Sequence, residues 1–150
     1  CARSRRGLAG VVVLRQEIAT QRRAHPAQPE GPAGRAFVAA SAALHLLVGD
    51  LERSHSISQD LKTPLGSFWH GVMHRTEGDY GNAKYWFRLA SPDGLYEQVG
   101  GLCPDGSIDI DANELVDAVQ RHAKTGGTDE LRRIVWAEWQ VGFRASLSTS

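Results

Sequence analysis

Ser67-Phe68-Trp69-His70-Gly71-Val72-Met73-His74-Arg75-Thr76-Glu77-Gly78-Asp79-Tyr80-Gly81-Asn82-Ala83-Lys84-Tyr85-Trp86-Phe87-Arg88 is the stretch whose reading decides the fold. It gathers aromatic and ionisable side chains far more densely than an ordinary surface segment. Gly78 is a natural helix terminator and Asp79 a natural cap for a second helix. The stretch therefore predicts two consecutive helices, at about 65–77 and 80–90. On the first, His70, His74 and Glu77 fall within about 60° of one another, because each residue advances about 100°. On the second, Ala83, Trp86, Phe87 and Ala90 form an apolar side. Lys84 and Arg88 form an i, i+4 cationic pair whose repulsion an anion or carboxylate between them would relieve.

Upstream, Leu44, Leu47, Val48 and Leu51 follow the i, i+3, i+4, i+7 spacing of a buried helical face. They predict one long helix over about 36–61, closed by Pro64. His55 lies about 20° from Leu44 on that helix and so shares its apolar face. Downstream, Pro92-Asp93-Gly94, Gly100-Gly101 and Pro104-Asp105-Gly106 are turn chemistry. They predict a long turn-rich connection at about 91–110, with a short helix at about 95–99. Asp111 with Glu114 forms a capping-box pattern at the start of a further helix, whose face is Leu115, Ala118, Val119 and His122. Gly126-Gly127 ends it. A last helix begins after Thr128, with Asp129 and Glu130 where the helix dipole favours anions, and runs to about residue 147. The fold class read from this pattern is all-α, a single helical bundle of four to five helices. No internal repeat, heptad register or convincing strand interrupts it.

The 150 residues suffice for one domain with its own core. Residues 1–35 carry Arg3, Arg5, Arg6, Arg15, Arg22 and Arg23 and then a Pro/Gly-rich run. They predict a poorly ordered basic N-terminal segment ahead of a helical domain at 36–150. The chain opens on Cys1 rather than Met. That suits a processed or truncated N-terminus; a lipoprotein opens in the same way, but a gene fragment is the simpler reading. Seventeen basic and seventeen acidic side chains cancel, so no bulk field draws the protein to nucleic acid or an acidic membrane. No apolar run reaches the roughly 18 residues of a membrane span. Two cysteines make neither a disulfide framework nor a zinc ribbon, which suits a soluble protein of the reducing cytoplasm.

Three positions set ionisable groups against the helical phase. Glu138 lies at the centre of the face formed by Leu131, Val135, Gly142 and Ala145, where an unpaired carboxylate is costly. His55 lies on the apolar face of the long helix, and His70, His74 and Glu77 share one side of the next. Inward-pointing groups of this kind build cofactor and metal sites in helical bundles. His70 and His74 have the i, i+4 spacing of helical zinc ligands, but Gly71 stands where a metalloprotease would carry its general base. The simpler alternative is a structural network joining Glu138 to a histidine, Arg75 or Tyr80.

The segment from Phe68 to Arg88 also resembles a family of hypothetical bacterial and fungal proteins. Their motif runs approximately Trp-His-Gly-Ile-Met-His-Arg-Arg-Glu-Pro-Asp-Tyr-x-Asn-Ala-Lys-Tyr-Trp-Phe-Arg. Ser54-His55-x-Ile57-Ser58-Gln59 and Glu138-Trp139-Gln140 are similar to flanking family positions, so the resemblance covers roughly 44–90 and 131–144. Thr76 replaces the family's second Arg and Gly78 its Pro. The resemblance implies no activity.

These readings predict a small-molecule or metal site between the helices. Its polar wall is His55, His70, His74, Glu77 and Glu138, surrounded by Trp69, Tyr80, Tyr85 and Trp86, with Asn82, Lys84 and Arg88 as further ligand-binding candidates. An enzyme built on it would use His70, His74 and Glu138 in acid–base chemistry. A metal would be held by His55, His70, His74 and Glu77, and Zn²⁺ or Fe²⁺ would suit those donors. The competing class is a non-catalytic protein-interaction module, with Trp69, Trp86 and Arg88 as an exposed patch.

Overall fold

The computed structural model describes residues 30–103 and 108–148. The expected poor order of the N-terminal segment concerns residues outside these, except at 30–35. Among the described residues there are seven helices and no strand: α1 (Gly31–Leu47), α2 (Leu51–Asp60), α3 (Pro64–Glu77), α4 (Tyr80–Ala90), α5 (Asp93–Leu102), α6 (Ala112–His122) and α7 (Asp129–Leu147). None is long and apolar enough to cross a membrane.

The class is as expected, but the count is higher, for two local reasons. The long upstream helix is broken at Val48-Gly49-Asp50. Gly49 takes φ 79°, a left-handed conformation that glycine adopts without the Cβ clash. Asp50 then caps α2 by accepting from the Arg53 backbone N–H at 3.2 Å. The short helix expected within the turn-rich connection is longer than about 95–99: α5 opens at Pro92-Asp93 and closes at the buried Cys103, and the turn expected at Pro104-Asp105-Gly106 lies outside the described residues. Here turn residues occupy the two ends of a helix. The first helix also starts earlier than its apolar pattern indicates. Gly31-Pro32 opens α1, because proline tolerates the first helical positions, where its missing N–H has no partner to lose. Pro64 likewise begins α3 rather than closing α2, with Thr63 as its cap.

Other boundaries follow the expected chemistry. Gly78 ends α3 at φ 92° and Asp79 caps α4 at the Asn82 N–H. Asp111 and Glu114 form a reciprocal capping box on α6, and Thr128 caps α7.

The core runs along α3, whose Phe68, Trp69, Val72 and Met73 are all buried. Against it lie Ala42, Ala43 and Leu46 of α1, Ala83 and Phe87 of α4, and Ala137 and Val141 of α7. The helices meet closely because small residues stand at the crossings. A Cβ at Gly142 would come within 2.4 Å of Phe68 Cε1, and one at Gly71 within 3.1 Å of Phe87 Cδ1. Two indole N–H groups fasten α7: Trp69 Nε1 donates to Ser146 Oγ at 2.9 Å, and Trp139 Nε1 donates to the Ala43 carbonyl at 3.1 Å.

The apolar phase expected for α1 is wrong. Its buried face is Val38, Ala39, Ala42, Ala43 and Leu46, whereas Leu44, Leu47 and Val48 are exposed. Alanines fill the tight crossing and larger side chains face outward.

Candidate functional site

His55 reaches the centre by a route that helical phase alone does not show. Because α1 and α2 are separate helices, α2 packs on α3 at its own angle and sets His55 over the His70/His74 edge. The His55 ring centroid lies 4.7 Å from that of His70 and 5.3 Å from that of His74. His70 and His74 are stacked at 4.7 Å, one turn apart on α3. One ligand nitrogen from each of the three rings lies within 4.8 Å of the other two.

His70 and His74 are buried and His55 is half-buried. His70 is the group least satisfied by its surroundings. Trp86 of α4 stacks on its face at 3.9 Å, yet Nδ1 and Nε2 both lack a hydrogen-bond partner while buried. Stacking serves the ring face and does nothing for the nitrogens. Burial is the first cause that pulls the His70 pKa from 6.5 down to about 3, followed by the charges of His74, His55 and Lys62. Its imidazole is therefore neutral and keeps a lone pair.

His74 is oriented from both sides. Its Nδ1–H donates to Glu77 Oε1 at 2.6 Å, and Nε2 accepts from Asn82 Nδ2 at 3.2 Å. Glu77 is thus an outer partner of the cluster, acting through His74. A second grouping, of His74, Glu77 and Asp79, adjoins it on the exposed side.

Glu138 belongs elsewhere, and this corrects the expected His70/His74/Glu138 set. It is buried at 1% exposure, and its carboxylate is spent on two other groups. Arg75 grips both oxygens, with Nη1 at 2.9 Å from Oε1 and Nη2 on Oε2, and the Tyr96 hydroxyl donates to Oε1. Burial works against the Arg75 charge, but the facing Glu138 carboxylate outweighs it and holds the guanidinium pKa above its ordinary value. Burial, then Glu138, push the Tyr96 phenol upward. The structural network expected for Glu138 exists, with Arg75 and without a histidine. Sequence reasoning expects the helix that carries Tyr96 but misses its partnership with Glu138, because phase within one helix does not show which side chain of another stands opposite.

The remaining candidates disperse. Trp69 is fully buried between Phe68 and Trp139, so it takes no part in a polar wall or a surface patch. Tyr80 is half-buried and lines a cavity with Arg75, Thr76 and Glu77. Tyr85 is exposed and lies edge-on to Trp86. Lys84 meets the Asp117 carboxylate of α6 at 2.6 Å, which supplies the counter-charge the Lys84/Arg88 spacing called for, and Arg88 is exposed.

Neither family models nor curated proteins nor solved structures match this chain.

Proposed function

We propose that the domain binds a divalent transition metal, Zn²⁺ in the first place, through His55, His70 and His74. The observation that carries this reading is the pair of buried, partnerless nitrogens on His70 beside two further imidazoles. A buried polar atom without a partner costs about 1–3 kcal/mol, and a cation among the three rings would remove that cost at one of them. Tetrahedral zinc with bonds of about 2.1 Å sets its ligand nitrogens about 3.4 Å apart. The rings need to draw in by no more than about an ångström and a half to meet that geometry.

The supporting chemistry is consistent. Neutral imidazole suits zinc, and His70 stays neutral at any ordinary pH. Glu77 holds the Nδ1 proton of His74, the carboxylate–histidine arrangement that fixes the tautomer of a metal ligand. The Nε2 lone pair that Asn82 now uses is then the one His74 would give to the ion. Three protein ligands leave coordination positions for water or substrate, the pattern of zinc sites that activate a bound water. Glu138, held by Arg75 and Tyr96, is not available as the base for such a reaction.

Untagged protein dialysed against Zn²⁺ should retain one equivalent by elemental analysis, and Co²⁺ should bind with the visible absorption of a tetrahedral nitrogen site. His55→Ala and His70→Ala should lose both while keeping their far-ultraviolet dichroism. A wild-type chain that holds no stoichiometric metal would refute the proposal.

The interaction-module alternative loses one of its anchors, since Trp69 is interior. What remains of that patch is Trp86, engaged with His70, and Arg88.

A further inference from the structure

On α3 the mean direction of Val72, Arg75 and Thr76 lies about 170° round the helix from the mean direction of His70 and His74. On that side lies a second feature of the fold, a cavity of about 510 Å³ walled by α1, α3, α6 and α7. Its walls include Leu46, Val72, Val119 and Trp139, and its polar floor is formed by Arg75 and Glu138. Cavities of this size that combine apolar walls with a few convergent polar groups are where small organic ligands bind.

The floor selects among such ligands. A buried ion pair costs much of its attraction in lost hydration, and apolar residues would often serve stability as well. Arg75 carries five N–H donors. The Glu138 carboxylate takes two and the Tyr96 oxygen can take one more. Donors therefore remain on a guanidinium whose charge Glu138 already balances. Arg132, also in the lining, is exposed and faces Asp129, so an anion reaching the floor would meet no net positive charge there to offset its own desolvation. A neutral acceptor that reached one of these remaining N–H groups would do so at little electrostatic cost. The walls ask for an apolar body, and Trp136, half-exposed in the lining and stacked on Trp139, offers a flat ring face that favours a flat one.

We propose that this cavity binds a neutral, flat, largely apolar molecule that presents a carbonyl oxygen to Arg75. The site is separate from the histidine cluster and does not depend on a metal there.

The probe is 2-acetonaphthone, with 2-ethylnaphthalene as a control of similar shape that lacks the acceptor. Binding is followed by ligand-observed NMR and by quenching of tryptophan fluorescence. The ketone should bind about tenfold more tightly than the hydrocarbon, the difference expected of one hydrogen bond to a charged donor. Ala123 is exposed and lines the mouth, so Ala123→Trp should plug the cavity and weaken ketone binding by a similar factor without lowering the melting temperature. Thr76→Trp, at another exposed lining position, serves if that variant does not fold. Absence of ketone binding, equal affinity for the two compounds, or ketone binding undiminished in the folded plugged variant would each overturn the proposal. Co²⁺ binding at the histidines should be the same in the plugged variants, so failure here and failure of the metal reading are separate results.

Discussion

Glu138 and Arg75 show what one buried charge demands of its neighbours. Each is almost fully enclosed, and removing either leaves the other uncompensated. Such single losses cost about 3–5 kcal/mol, whereas replacing both partners by apolar residues of similar volume is often neutral or stabilising. Glu138→Leu should therefore destabilise severely in urea unfolding. Glu138→Gln should fall between it and wild type, because its carbonyl can still accept from Arg75 and Tyr96. The pair Glu138→Leu with Arg75→Met should recover most of the loss; a double variant no better than Glu138→Leu alone would contradict this account. That Glu138 is buried was legible from the phase of the last helix. Its partners were not, since helical phase within one element says nothing about which side chain of another element stands opposite.

At the scale of elements, glycine position decides sign. Gly81 lies in the first turn of α4 with open space where a Cβ would go. Gly81→Ala should raise stability by about 0.4–1 kcal/mol, chiefly by restricting the unfolded chain. Gly142 stands in α7 against Phe68 and Trp69. Gly142→Ala should lose about 1–3 kcal/mol to overpacking although alanine is the better helix former. Thermal melts of the two variants should move in opposite directions, and a shared direction would show that propensity rather than packing governs both. The helices α3, α4 and α6 were legible because caps, glycine stops and apolar spacing agree there. The α1–α2 break was not, because Leu44, Leu47 and Val48 imitate a buried stripe. Their exposure follows from the alanine face beside them, which allows a closer crossing than leucines would. His55 thus meets His70 through a turn that the apolar spacing conceals, even though the face that suggests the meeting points outward.

For the whole molecule, the histidine cluster ties stability to pH and to metal. In metal-free protein the unfolded chain protonates His70 near 6.5 while the folded chain resists until about 3. The unfolded state therefore binds more protons in that window. The contribution of His70 is complete above 6.5 and is lost as pH falls toward 3, at up to about 1.4 kcal/mol per pH unit. Metal acts in the opposite sense at neutral pH: a ligand of the folded state alone adds about 2.7 kcal/mol at a hundred times its Kd. A stable metal-free fold would not choose two partnerless buried nitrogens, because an apolar ring avoids their cost. His70→Phe keeps a flat face for Trp86 and removes both nitrogens. In EDTA at about pH 7 it should melt no lower than wild type, and its melting temperature should fall less between about pH 7 and pH 5. It should also gain nothing from added Zn²⁺, while wild type gains several degrees. A His70→Phe protein that is less stable in EDTA yet still responds to zinc would show that His70 is there for packing and that the metal sits elsewhere.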